Sequence, residues 1–254
     1  MKKMNVIKMM LLAVVAMVTV SSCDDDDTCY YPAVPRLNAL VTVKHTSEGK
    51  FYLQLDDKTA VWPVNMSASP FGDKEVRALA SIDFVDDEGM QDDRSGKKVK
   101  VNWIDSILTK KSIACPAEEV DKIYGNDPIE VVDDWVTVAE DGYLTLRFRT
   151  KWGNYYGQAH FVNLLTQVDE NDPYTIEFRH NAFGDTVGQW GDGIVAFRLD
   201  NLPDTQGKTV KLTLKYNSFS GPKSVQFDYC SRENSGSMAL EGMDIKALHK
   251  LNLQ

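Results

Sequence analysis

Gly142-Tyr143-Leu144-Thr145-Leu146-Arg147-Phe148-Arg149 is the stretch on which the reading of the fold turns. Leu144, Leu146 and Phe148 fall on one parity; Thr145, Arg147 and Arg149 fall on the other. Successive side chains of a strand point to opposite faces, so this alternation predicts a strand with one face in a core. Working outward, the pattern returns. Tyr174, Ile176 and Phe178 oppose Thr175, Glu177 and Arg179, and Val210, Leu212, Leu214 and Tyr216 oppose Lys211, Thr213 and Lys215. Val225, Phe227 and Tyr229 oppose Gln226 and Asp228. Residues 193–199, Gly-Ile-Val-Ala-Phe-Arg-Leu, are apolar on both faces and predict a central strand. Many strands with polar outer faces predict a two-sheet sandwich.

Upstream the alternation is just as regular. Leu37, Ala39, Val41 and Val43 share one face, leaving Asn38, Thr42 and Lys44 on the other with Leu40. Phe51, Leu53 and Leu55 repeat it, then Val76, Ala78, Ala80, Ile82 and Phe84, then Val99, Val101 and Trp103. Trp62-Pro63 with Val64-Asn65-Met66 suggests a further short strand. Turn-rich stretches such as Ser47-Glu48-Gly49 and Ser69-Pro70-Phe71-Gly72-Asp73 separate the runs, which predicts a small barrel or sandwich. Between the two halves, 114–128 reads as a connector with a turn or two of helix, Pro116 suiting its start and Gly125 its stop. Asp244–Lys250 suggests a short terminal helix.

The first 22 residues read as a leader. Met1–Lys8 carries three lysines, and Met9–Val20 is a twelve-residue run, apolar except for Thr19. A spanning helix needs about 20 such residues; a secretory signal needs roughly 7–15. Val20-Ser21-Ser22-Cys23 resembles the lipobox of bacterial lipoproteins, which implies a cleaved signal peptide and acylation of Cys23, with palmitate-type chains seated in a bilayer. Each buried methylene adds about 0.8 kcal/mol of membrane affinity, so several chains anchor firmly. Asp24, Asp25, Asp26 and Asp27 repel one another and cannot enter a core, so 23–36 reads as a solvated tether. Cys followed by four aspartates also resembles the export signal of surface lipoproteins in one phylum of Gram-negative anaerobes. That implies an outer-membrane, cell-surface location.

Composition narrows the function. The net charge is −9, and loss of Lys2, Lys3 and Lys8 with the leader takes it to −12. Residues 37–113 carry eleven Lys/Arg against twelve Asp/Glu, so no nucleic-acid partner is expected. With Cys23 acylated, Cys29, Cys115 and Cys230 form an odd set; a Cys115–Cys230 bridge is one arrangement. No Cys-x-x-Cys motif supports structural zinc. Asp86-Asp87-Glu88 with Asp92-Asp93, and Asp169-Glu170-Asn171-Asp172-Pro173, are acidic loops that raise the question of calcium. Neither has the alternating spacing of an EF-hand, so both read as solvated turns and no metal or cofactor is expected.

Several short motifs resemble the NigD-like lipoproteins: Asp127-Pro128-Ile129, Asp134-Trp135, Gly142–Phe148, Phe178-Arg179-His180-Asn181-Ala182 with Gly184-Asp185, and Phe197-Arg198-Leu199. Thr145 and Arg147 depart from the Asn and aliphatic residue expected around the Tyr-Leu motif. The resemblance implies an all-β chain, an N-terminal OB-like barrel at 37–113 followed by an antiparallel β-sandwich at 114–254. The family name comes from a bacteriocin operon, which implies an immunity or accessory role, and it carries no established set of site residues.

Catalysis needs a positioned nucleophile, base or metal. His-Glu-x-x-His, Gly-x-Ser-x-Gly and a P-loop are all missing from the sequence, so no catalytic residue is expected. His160 and His180 lie near predicted strands with Asp185 and Asp192 close behind, and a His–Asp pair there could do acid–base work or brace a turn. The candidate binding residues are Trp152, Tyr155, Tyr156 and Trp190, expected on Gly-flanked loops. Displayed rings can fill a partner's pocket or stack on a sugar. A protein or peptide partner is the first expectation, a glycan the second, and an envelope spacer or a hydrolase with an unrecognised site the remainder.

Overall fold

The structure, a computed structural model, describes residues 37–85, 96–116, 118–153 and 158–232. The leader, Cys23, Asp24–Asp27, Cys29, the acidic stretch 86–93, Tyr155, Tyr156 and the helix expected at 244–250 lie outside the described residues.

Five strands close a barrel: β1 (Ala39–His45), β2 (Phe51–Gln54), β3 (Ala60–Pro63), β4 (Val76–Phe84) and β5 (Lys97–Ser106), in the order β1-β2-β3-β5-β4. The alternating apolar residues fill it: Ala39, Val41 and Val43 meet Phe51, Leu53, Val61, Ala78, Ala80, Ile82, Val99 and Val101. The short strand expected over Trp62–Met66 lies slightly earlier, ending at Pro63. Trp103 departs from the predicted inward parity. The β4–β5 register passes from Ile82↔Val101 to Ser81↔Trp103, which leaves Asn102 over as a β-bulge. Beyond the bulge the parity reverses, so Ile104 packs on the core and Trp103 faces out.

The sandwich follows at once. β6 (Leu108–Lys111) and β7 (Ile113–Ala114) already belong to it, although both start inside the stretch expected for the barrel. The remaining elements are α1 (Val120–Tyr124), β8 (Glu130–Val131), β9 (Val138–Glu140), β10 (Tyr143–Gly153), β11 (Phe161–Thr166), β12 (Thr175–Asn181), β13 (Gly188–Arg198), β14 (Val210–Ser218) and β15 (Gly221–Tyr229). One sheet runs β6-β13-β10-β8, with β9 also on β10; the other runs β15-β14-β12-β11-β7. Their inner faces bury Leu144, Leu146 and Phe148 against Ile176, Phe178, Val195, Phe197, Leu212 and Leu214. Gly125 caps α1 as its stop, but the helix begins at Val120 rather than at Pro116. Cys115 and Cys230 are free thiols, so the bridge between them is not formed.

The outer face of β10 is not uniformly polar, because the barrel covers one end of it. Leu40 and Ile107 pack there with Tyr143 and Ala196, joined by Leu79, Val138 and Ile194. This explains why 193–199 is apolar on both sides. β9 and β10 meet in a two-residue turn, Asp141-Gly142, with φ of 50° and 73°. Two positive φ values define the tight hairpin turn that suits strand twist and selects Asp-Gly. The hairpin tip carries Glu140 to Arg77 and Asp141 to Lys44, both pairs largely out of solvent. Arg77, fully buried, also donates to Thr42 (3.0 Å) and to Thr145 (3.3 Å). The Tyr143 hydroxyl donates to Glu75 at 2.6 Å, and the guanidiniums of Arg77, Arg198 and Arg232 surround its ring at 5.2–5.8 Å. Burial and the Glu75 carboxylate raise the Tyr143 phenol, which stays a donor. Burial works against ionised Glu75, but Tyr143, Arg232 and Arg198 outweigh it and hold the carboxyl below its ordinary range.

Candidate functional site

Beyond the barrel, the outer face of β10 presents Arg147, Arg149 and Lys151, and antiparallel β13 sets Asp192 and Trp190 beside them. Arg147 spans Asp134 at 2.8 Å and Asp192, while Arg149 grips both oxygens of Asp192. Arg149 and then Arg147 hold the Asp192 carboxyl down to about 2. Lys151 lies directly across from Trp190, its ammonium 5.5 Å from the ring centroid. Trp190 is 54% exposed and meets the edge of Phe219, itself 41% exposed, at 4.8 Å and 70°. Phe219 sits at the β14–β15 turn and is fixed there because its amide donates to Glu130, which also pairs with Lys223 at 2.9 Å. A second exposed pair, Phe161 and Phe183, makes an edge contact at 5.0 Å. Val187 is exposed as well.

The predicted binding residues therefore separate. Trp152 and Trp190 stand on strands, not on loops: the pairing of β10 with β13 continues to Gly153↔Gly188 and takes in Gly188–Gly193 together with Trp152-Gly153. They also point to opposite faces. Trp190 faces out, whereas Trp152 turns inward with Phe148 and stacks on His160 at 4.4 Å and 15°. The edge of Trp152 fits over Gly191, where a Cβ would lie 2.6 Å from Cδ1. Trp152, Gly153, Gly188, Gln189, Trp190 and Asp192 line a shallow depression.

His160 and His180 do come together with a carboxylate. His160 Nδ1 is 2.9 Å from His180 Nε2, and His160 Nε2 is 3.2 Å from Asp185 Oδ2. Asp192 takes no part, since its even spacing from Trp190 places it on the outer face. The His160 and Asp185 side chains are 1% and 2% exposed, with Trp152 over the imidazole. Burial, then the neighbouring His160, push His180 down to about 4. Among the described residues, no group of three or more His, Cys, Asp or Glu is placed to hold a metal ion. In the loop 169–173, Asp169 and Asp172 instead accept the amides of Asn171 and Tyr174.

Phe219 and Lys151 belong to the exposed face around Trp190, Phe183 belongs to the separate pair with Phe161, and sequence singled out none of them. Phe219 follows a strand end, Lys151 has the parity of Arg147 and Arg149, and Phe183 falls between the Phe178–Ala182 and Gly184-Asp185 motifs without belonging to either. No local pattern says that two such rings from separate hairpins converge.

Comparison with known proteins agrees with this architecture. The NigD-like N-terminal OB domain matches residues 40–107 and the NigD-like C-terminal beta sandwich domain matches residues 112–229. Among curated proteins no match was found. A crystal structure of a protein provisionally named toxin-related, from Parabacteroides distasonis, is 39% identical with a TM-score of 0.61, covering 76% of this chain and 92% of its own. A protein of unknown function from Bacteroides vulgatus is 22% identical at TM-score 0.58, covering 84% of this chain and 98% of its own. A NigD-like immunity protein from Bacteroides caccae is 18% identical at TM-score 0.51, covering 74% and 90%. These last two are likenesses of fold. With both of its domains matched in order by one family, and a relative 39% identical over most of its length, the chain belongs to the NigD-like family.

Proposed function

We propose that this chain is a lipid-anchored, surface-exposed binding or accessory module without catalysis, which takes a protein or peptide partner in a bacteriocin-related setting. The observation that carries the reading is the Trp190–Phe219 pair, two large rings held in contact yet left open to solvent. Rigid aromatic side chains give much contact area for little lost entropy, and they dominate binding energy at interfaces. Lys151 and Arg149 beside them supply a polar rim. The 39% identical relative is named toxin-related, which supports the bacteriocin setting. The leader, Cys23 and Asp24–Asp27 support the anchor and the surface location. Enclosure of the His160–Asp185 pair supports a bracing role over acid–base catalysis, because a substrate must reach hydrogen-bond distance of a general base.

The test is a pull-down of the lipidated protein from its own envelope, run beside a Trp190→Ala/Phe219→Ala variant. A partner retained by the parent and lost by the variant supports the reading; an identical retained set overturns it. A glycan is the second reading, favoured by the planar polar groups of Gln189 and Asp192 around the depression below Trp190. Glycan-array binding that disappears with Trp190→Ala would select it. Protease shaving of intact cells checks location: survival of the protein while surface controls vanish would place it on the inner side.

A further inference from the structure

The face around Trp190 carries a charge of definite sign. Four cations stand there, Arg147, Arg149, Lys151 and Lys223, against three carboxylates, Asp134, Asp192 and Glu130. Residues 154–157, which follow β10, are Asn-Tyr-Tyr-Gly and carry no charge. The whole chain stands at −9, so the local excess is opposite in sign to the molecule. The positive groups are also the outer ones. The side chains of Arg147, Arg149 and Lys223 are 37%, 49% and 42% exposed, whereas those of Asp134, Asp192 and Glu130 are 20%, 21% and 33% exposed. An approaching molecule meets guanidinium and ammonium before it meets carboxylate. Lys151 is the source of the excess. Among the described residues no ion pair joins it to a carboxylate, and its ammonium lies by the Trp190 ring. That ring borders two recesses: the depression it shares with Trp152 and Gln189, and a second one lined by Glu130, Val131, Val132 and Arg149. Barrel residues pack at the other end of β10, over Tyr143 and Ala196, and leave Trp190 and Phe219 uncovered.

We infer that this face takes an acidic peptide segment, in which one large apolar side chain seats in a recess beside Trp190 and a neighbouring carboxylate pairs with Lys151. The inference rests on the reading of Trp190 and Phe219 as a binding site and names the chemistry of what binds there. The apolar part is set by the two rings together with Val131 and Val132. The acidic part is set by position. Lys151 lies directly across from Trp190, and cross-strand neighbours stand about 5 Å apart. At roughly 3.3 Å per residue, an Asp or Glu one or two positions from the apolar anchor reaches the ammonium. An exposed ion pair changes affinity by only about two- to fivefold. Lys151 therefore sets which sequences are preferred, while the rings supply most of the contact.

An array of short peptides, each with one Phe flanked by Asp, by Asn or by Lys, tests this when probed with the full-length chain at low salt. The Asp series should be retained about two- to fivefold better than the Asn series, and the Lys series least. Lys151→Glu should reverse that order. Lys208→Glu makes the same change in net charge at the far end of β14, on an exposed residue, and should keep it. Trp190→Ala should lose all three series. A parent chain with no preference for Asp, or a Lys151→Glu variant that keeps the preference, overturns the inference. So does retention of galacturonate oligosaccharides in place of the Asp peptides, which would select the glycan reading. The two ways of failing separate. No Asp preference, with a partner still lost from the envelope pull-down on Trp190→Ala/Phe219→Ala, means that the face binds and the acidic chemistry is wrong. An unchanged pull-down as well removes both readings.

Discussion

Single residues in this chain are constrained most where a backbone passes another closely. Gly125, with φ of 74°, stops α1 against β12, and a Cβ there would lie 2.5 Å from the His180 carbonyl oxygen and 2.7 Å from Asn181 Cα. Backbone cannot rotate out of the way as a side chain can. Gly125→Ala should cost about 3 kcal/mol or more, combining overpacking with the left-handed backbone penalty. Gly49, with φ of 80° in open space, isolates the second effect, and Gly49→Ala should cost about 1–2 kcal/mol. Urea midpoints of the two variants measure the difference. Gly125 was legible as a helix stop, but the closeness of β12 was not, because that contact joins segments about 55 residues apart. His180 sets a pH dependence of definite sign. Its folded value of about 4 lies below the ordinary 6.5, so the unfolded chain binds more protons between those limits. The His180 contribution is present in full above pH 6.5 and is lost as pH drops toward 4, by on the order of 1–3 kcal/mol. A His180→Gln variant should have a flatter stability profile in that window, whatever its absolute stability.

Among the elements, the β9–β10 hairpin decides how barrel and sandwich are joined. Its Asp141-Gly142 turn places two carboxylates against cations of the barrel, and Asp141 also approaches Arg232 at 3.2 Å. Removing Lys44 leaves the buried Asp141 carboxylate with only the longer Arg232 contact, so Lys44→Met should cost about 3 kcal/mol. The double variant Lys44→Met/Asp141→Asn should recover a good part of that, since Asn tolerates positive φ and carries no charge. A double-mutant cycle in urea measures the coupling, and additive losses would show that the pair is not coupled. The turn itself is readable from Asp-Gly before an alternating run. Its partners are not, because Lys44 has the parity of a solvent-facing residue and becomes buried only when the second domain arrives. The bulge at Asn102 is a similar case: a period-two pattern carries no mark of an extra residue until the opposite strand supplies a register.

For the whole molecule, the exposed rings predict a separation of binding from stability. Trp190→Ala should leave the unfolding midpoint within about 0.5 kcal/mol of the parent, as surface changes usually do, while it abolishes partner capture. Comparable loss of both would mean that Trp190 is a packing residue. Mass spectrometry of the mature protein should find diacylglycerol and an amide-linked acyl chain at Cys23, and an unmodified N-terminus would remove the membrane setting. The two-domain all-β architecture was determined by the sequence itself, because alternation in strands and the Gly, Asp and Pro turns between them are local consequences of side-chain direction and backbone sterics. The tertiary structure alone decided which tryptophan faces out, that His160 shares its hydrogen bonds with Asp185 rather than Asp192, and that the outer face of β1 is covered. Each of these depends on which distant segment packs alongside, and burial is a property of the pair, not of either strand taken singly.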